Sequence, residues 1–449
     1  MRNSIRTSGL FVILAACAAF QFQPANAHDL GRQTLPAGDG WGSFGAGVTG
    51  GASAAPEQVY VVTNRAELIA ALNNGVPSST SPSNPSNEPK IIYVKGTIDA
   101  NVDDENRPLT CEDYYRDGYT PEAYFATYDP AVWGRVPPSG PLEDARIASR
   151  NAQQARVRIR IGSNTTIVGL GKNATIKGAW FDIRGTAGVP NSRSNIIIRN
   201  LTFRDTYDCF PEWSPTDGAL GSWNALYDSI SLRDTNNVWI DHNTFEDRDT
   251  RDETQPLRFG VLYQVHDGLL DITNASDLVT VSWNRFRNHD KAMLIGSSDG
   301  ATADRGKLRV TLHHNWFEGI GQRAPRVRFG QVHLYNNLYD VRGALSYQYS
   351  WGVGIESAIY AEDNVFIAPK TFTPDRFIAR FNGTALAASD TLVIGPRVRN
   401  PVDLVSAWNQ VNDPDLGVDV GWVPTLDRGL LPAVTVPILV PLFSGPVFH

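Results

Sequence analysis

From Val157 onward the chain repeats short β-branched runs that close on an Asn and an aromatic residue. They are NIIIRNLTF (195–203), NVWIDHNTF (237–245), LVTVSWNRF (278–286), RVTLHHNWF (309–317), QVHLYNNLY (331–339) and AIYAEDNVF (358–366). The Asn positions 200, 243, 284, 315, 337 and 364 are separated by 43, 41, 31, 22 and 27 residues. Gaps near 22 read as single turns of a repeat, and gaps near 42 as turns carrying long insertions. Runs this close together leave no room for crossover helices, so each strand needs a parallel neighbour on an adjacent turn. An all-β, right-handed parallel β-helix meets that need. Each coil buries a face on the next, and recurring Asn can bond its equivalents as a ladder at the bend. A sandwich or barrel would call for polar hairpin turns such as Asn-Gly, which the repeats lack.

Before the repeats, Val59 to Gly75 reads as a strand and a short helix, with Asn64 as N-cap and Glu67 at the capping-box position. Ser78 to Pro89 is a polar loop, and Lys90 to Ile98 a buried strand. The Gly- and Ala-rich residues 28–58 have no period and read as an extended arm. Asn101 to Gln154 is polar, aromatic and irregular, an excursion lying over the core. From Thr371 the chain is Pro-rich and weakly periodic, an extended cover for a face or edge. The expected organisation is one β-helix domain over 28–449, with an N-terminal arm 28–58 and a C-terminal extension of about 371–449.

The 449 residues, 42% hydrophobic and 19% charged, have the balance of a soluble globular protein. Residues 1–27 read as an export signal: Arg2 and Arg6, an apolar core from Leu10 to Phe20, and the small-residue site Ala25-Asn26-Ala27. The run is too short to span a bilayer, and no later stretch is long enough. Leu14-Ala15-Ala16-Cys17 offers a rival reading, the box that precedes a lipid-modified cysteine. Cleavage after Ala27 leaves Cys111 and Cys209, and sequence leaves open a disulfide or two separate buried thiols.

The chemistry concentrates in Asp267 to Arg328. Asp267 and Asp271 sit four apart in the apolar run DGLLDI, Lys291 follows in HDKAMLIG, and Arg323 and Arg328 in QRAPRVRFG. Residues 285–328 hold nine Lys or Arg against four acids, whereas the whole chain carries −7. A basic patch on an acidic protein points to a local anionic ligand, with no nucleic-acid partner expected.

DGLLDI, HDKAMLIGSSD, RVTLHHNWF and QRAPRVRFG, with YDSISL (227–232) and NVWIDHNTF upstream, closely resemble the pectate lyases of polysaccharide lyase family 1. The similarity runs from about Tyr60 to about Phe366. The resemblance implies a secreted, monomeric, calcium-dependent enzyme that cleaves α-1,4-linked polygalacturonate by β-elimination. By family position, Asp228, Asp267 and Asp271 would hold calcium and Asp217 would help hold more of it with substrate. Lys291 and Arg328 would bind substrate carboxylates, and Arg323 would be the base that removes the C5 proton. A guanidinium holds its proton tightly, so a base of this type needs neighbouring cations and desolvation, and its rate should climb toward alkaline pH.

Other readings are separable. A pectin lyase acting on methyl-esterified polymer lacks the full carboxylate set and the Lys. A glycoside hydrolase would need two carboxylates flanking the bond and would leave no unsaturated product. A non-catalytic polysaccharide-binding β-helix would have no use for Arg323. His242, His289 and the pair His313-His314 read as structurally satisfied histidines, and without a Cys/His cluster no zinc site is expected. Tyr347, Tyr349 and Trp351 suit a sugar groove or internal packing equally.

Overall fold

The computed structural model describes residues 27–395 and 399–448. The export signal and Cys17 therefore lie outside the described residues, apart from Ala27. Three parallel sheets wind into a right-handed β-helix: a ten-stranded sheet, an eight-stranded sheet, and a further ten-stranded sheet whose last strand alone is antiparallel. The repeated runs seen in the sequence are successive strands of the first sheet, from Ser194–Arg199 through Asn236–Asp241, Asp277–Ser282, Val310–His313 and Gln331–Tyr335 to Ala358–Glu362.

Each coil bends at an Asn, enters the second ten-stranded sheet, and returns through the eight-stranded one. The bend has two parts. A residue in the left-handed region comes first, namely His242, Trp283, His314, Asn336 and Asp363 with φ between 49° and 54°. The ladder Asn follows. Asn284 Oδ1 accepts from the N–H and Nδ2 of Asn243 (2.9 and 3.0 Å), and Asn315, Asn337 and Asn364 repeat the pattern. The ladder satisfies buried backbone groups that a tight bend would otherwise orphan. Asn200 is one position out of register. It occupies the left-handed site itself at φ 55°, and Leu201 N–H takes the ladder place, donating to Asn243 Oδ1 at 3.1 Å.

Beside the ladder, the aromatic that closes each run forms an internal stack. Phe203, Phe245, Phe286, Phe317, Tyr339 and Phe366 lie 4.6–5.1 Å apart with planes within 13°. Strand spacing of about 4.8 Å brings equivalent rings to van der Waals contact.

Four expectations need correction. The excursion 101–154 is not irregular: it holds helices at Pro121–Tyr128 and Pro130–Trp133, and a 17-residue helix at Pro141–Val157. The last was hidden because its buried face mixes Ala145 and Val157 with Glu143, Arg146, Ser149 and Gln153. Arg146 is paired internally with Glu143 at 2.6 Å and caps the Phe210 carbonyl at 2.7 Å. A disulfide between Cys111 and Cys209 (Cα–Cα 5.5 Å) ties this excursion to the insertion that follows the strand Thr202–Arg204.

Second, the arm is not simply extended. It makes short 3-10 turns against the outer face of the first sheet, where the N–H groups of Trp41 and Gly42 donate to Thr311 and Thr280 hydroxyls at 3.0 Å. Its glycines reflect close approach: a Cβ on Gly51 would lie 1.9 Å from the Lys90 carbonyl oxygen. Third, the coils do not stop at Thr371, because strands Ile378–Phe381, Leu386–Ser389 and Leu392–Ile394 add one more turn to all three sheets. The cover begins after that turn, and Ala433 from a 3-10 turn with Val436 and Val440 from the C-terminal helix bury Leu338, Val365 and Leu392. Fourth, the last ladder partner on the N-terminal side is Leu201 rather than Asn200, as described above.

Candidate active site

The candidate residues gather along the eight-stranded sheet, Asp271 within one of its strands and the others in the segments that lead into or out of it. In Leu270–Thr273 the side chains of Leu270 and Ile272 are fully buried in the core, so alternation turns Asp271 outward. Across the ladder Asp271 pairs with Ser231 on the preceding coil, and Ser231 with Asp182 beyond it. Asp228 stands just before Ile230–Arg233, and Asp267 just before Leu270–Thr273, where each coil enters the sheet.

Gly268 shows how closely two of these acids converge. A Cβ built there would lie 2.6 Å from Asp271 Oδ1 and 2.9 Å from Asp228 Oδ1. The Gly268 N–H donates to that Asp228 oxygen at 2.9 Å, the Ser231 hydroxyl donates to the other, and the Leu294 N–H donates to Asp271 Oδ1 at 2.9 Å. Burial, and next the charge of Asp267, pushes Asp228 up to about 7. Asp271 is raised well above the usual carboxylate range by burial, then by Asp228 and Asp267. Carboxylates held together at this cost are relieved by a cation.

Asp267 faces the third direction. Its carboxylate is 31% exposed and lies 3.6 Å from Lys291 Nζ. Its carbonyl accepts from His289 Nε2 at 2.6 Å, while His289 Nδ1 meets the buried carboxylate of Asp247. Burial alone would lower His289, but Asp247 and then Asp252 outweigh it and hold the imidazole at about 9. His289 is a satisfied histidine, as expected, yet it also anchors the loop that carries Asp267. That second role depends on coil stacking and has no signature in the local sequence.

Lys291 ends the strand Arg285–Lys291 and pairs with Gln322 on the next coil, which places Arg323 immediately beyond. Arg323 has φ 57° and precedes the cis Ala324-Pro325 bond. Its carbonyl accepts from Met293 N–H at 2.7 Å, and its Nε is buried without a hydrogen-bond partner. Arg328 is held by Asp299 at 2.6 Å and by the Gly296 carbonyl at 3.0 Å. Arg326 stacks over Phe381 at 3.8 Å, and burial, then Arg328, lowers its guanidinium from the ordinary value.

The remaining candidates divide. Asp217 lies in the exposed turn of the hairpin Glu212–Ser214/Ser222–Asn224, and no hydrogen bond or ion pair joins it to the site among the described residues. Trp351 and Tyr349 are buried, which favours packing over groove lining. His242 bonds Asp241 at 2.7 Å, and His242, Trp283 and His314 stack at the bend. Sequence reasoning missed Gly268, Ser231 and Asp299. Only Gly268 left a signal, a glycine directly beside a candidate ligand.

The donors suit a hard cation, being carboxylate oxygens with positions left open for other oxygens. Among the described residues no three His, Cys, Asp or Glu groups are already drawn into a metal cage. Asp228 and Asp271 converge, whereas Asp267 turns to Lys291.

A parallel β-helix with converging acids and flanking cations along one sheet has the chemistry to engage an acidic polymer. Residues 140–397 match the family model described as pectate lyase. A pectate lyase of Bacillus subtilis (strain 168) is 44% identical over 420 residues, covering 92% of this chain and 94% of its own. Pectate lyase E of Dickeya dadantii (strain 3937) is 36% identical over 370 residues, covering 81% and 76%. Among solved structures, a thermostable pectate lyase superposes with TM-score 0.89 at 46% identity, covering 94% of this chain and 99% of that one. A pectate lyase bound to hexasaccharide gives 0.85 at 42% identity, covering 93% and 99%. The chain belongs to the pectate lyase family.

Proposed function

We propose that this pectate lyase is a secreted, calcium-dependent, monomeric enzyme that cleaves α-1,4-linked polygalacturonate by β-elimination, leaving 4,5-unsaturated ends. Residues 28–449 act as one catalytic domain after export through residues 1–27. The observation that carries the reading is the convergence of Asp228 and Asp271 on Gly268, with Lys291 and Arg323 on the following coils.

Asp228, Asp267 and Asp271 would hold calcium, with Asp217 contributing when substrate is present. When bound, the ion supplies charge neutralisation for the substrate carboxylate next to the reacting carbon. Lys291 presents a point charge to a carboxylate, and Arg328 a fork fixed in orientation by Asp299 and Gly296. Arg323, neutral in the reactive form, takes the C5 proton. The C5–H electron pair becomes the C4–C5 double bond, the C4–O bond breaks, and the departing oxygen collects a proton from water. Arg323 then returns its proton to solvent.

The test is ultraviolet absorbance of the conjugated product during incubation with polygalacturonate, with and without a chelator. Chelator-sensitive absorbance supports the reading. Insensitive absorbance on esterified polymer, reducing ends without absorbance, or no change would each replace it with another function.

A further inference from the structure

We propose that Arg184 and Arg233 form a second carboxylate-binding locus, on the N-terminal side of the acids, that grips a uronate residue of the polymer remote from the bond being cut. The inference rests on the function proposed above and extends it along the groove.

The parallel register places side chains of successive coils in straight rows on the outer face of the eight-stranded sheet. Arg184 pairs with Arg233, and Arg233 with Thr273. Ile272 pairs with Ile295 and Ile295 with Val327, which puts Gly296 and Arg328 next along that same row. Arg184 thus stands four strands from Arg328, about 19 Å at the usual strand spacing. A polymer that meets Asp228, Asp271, Lys291 and Arg323 must cross the strands, because those groups come from successive coils. Continued toward the N-terminal end, its path passes over Arg233 and then Arg184.

The local charge is cationic. Arg158, Arg184 and Arg233 gather near Arg160 and the fully buried Asp182, with Asp234 also facing Arg184 and Asp228 facing Arg233. Asp182 lies 3.2 Å from Arg160 Nε and 3.8 Å from Arg184 Nε, yet neither of its oxygens has a hydrogen-bond partner. The acids are outnumbered by the four guanidinium groups, and Arg184 remains 42% exposed and open to solvent. Arg233 is half-buried and held over the Trp180 ring at 5.1 Å, and Trp180 Nε1 in turn donates to Ser231 at 2.7 Å. That stacking, with one long bond from Nη2 to the Ser231 hydroxyl at 3.5 Å, fixes the plane of the fork and leaves its other donors open to a carboxylate.

The test compares wild type with the double variant Arg184→Gln/Arg233→Gln on long polygalacturonate and on trigalacturonate, with folding checked by thermal unfolding. On the polymer, KM rises about tenfold for the two lost pairs, while in the single variant Arg184→Gln, which leaves the contacts from Arg233 through Ser231 to Asp228 intact, kcat and the trigalacturonate KM change less than about twofold. The exposed single variant Arg184→Gln gives the same direction with a smaller rise, and serves if the double variant unfolds. Arg107→Ala, a surface arginine paired with Asp103 and Glu105, controls for net charge and leaves both KM values in place. An unchanged polymer KM, or equal rises on polymer and trimer, overturns the second locus. Absence of unsaturated product with wild type overturns instead the function on which it rests.

Discussion

Lys291 Nζ lies 3.6 Å from Asp267 Oδ1, a cation from one coil against an acid from the coil before it. The contact turns the Asp267 carboxylate toward Lys291, while its charge still reaches Asp228 and Asp271, which converge on Gly268. Calcium would draw Asp267 toward those two acids and free Lys291 for substrate. A chelator is therefore expected to remove activity and lower the melting temperature, since a ligand bound only by the folded state stabilises it. Added calcium is expected to restore both, read by absorbance and by calorimetry.

Gly268→Ala tests the spacing of the acids. The new methyl group would meet Asp271 Oδ1 at 2.6 Å and Asp228 Oδ1 at 2.9 Å, so at least one carboxylate must move. Calcium affinity by isothermal titration is expected to fall about tenfold or more, and an unchanged affinity would place the ion elsewhere.

Asn284→Ala tests the ladder away from the site. Asn284 accepts from Asn243 and donates to the Ile240 carbonyl and to Asn315 Oδ1, all buried. Leaving those groups unpaired is expected to cost about 3 kcal/mol, measured by denaturant unfolding, with the rate per folded molecule preserved.

Asp241 gives an acid-stability prediction. Burial would raise this carboxyl, but His242 and then Arg199, with hydrogen bonds from His242 and Ser282, outweigh burial and hold it at about 2. A carboxyl depressed on folding contributes stability that is fully present above its unfolded value near 3.8 and is lost as pH falls through about 2. The contribution is of the order of 2 kcal/mol. Unfolding free energy measured from pH 5 to 2 is expected to fall in that window, and Asp241→Asn to flatten the fall while lowering stability at neutral pH.

What could be read from the sequence follows from what is local. The ladder was legible because one Asn per coil repeats and the coils needed only to be parallel, whereas the recurring aromatic showed as a pattern without the stack it forms. Asp267, Asp271, Lys291, Arg323 and Arg328 stood out as candidates because each sits in a contiguous motif. The helix Pro141–Val157 was not, because Glu143 and Arg146 satisfy each other inside the protein and so broke the apolar period. The anchoring of Asp267 by His289, and the row from Arg184 to Arg328, exist only once coils stack. Neither has a spacing that a linear chain reveals.

The central claim is that Arg323 removes the carbon-bound proton. Arg323→Lys keeps a cation but changes the position and chemistry of the accepting nitrogen. Polygalacturonate with calcium is followed by absorbance, and binding is followed separately on the same variant. The account predicts binding within about threefold of wild type and a loss of about 10³-fold or more in the rate of double-bond formation. Unsaturated product formed at a rate near that of wild type would contradict it.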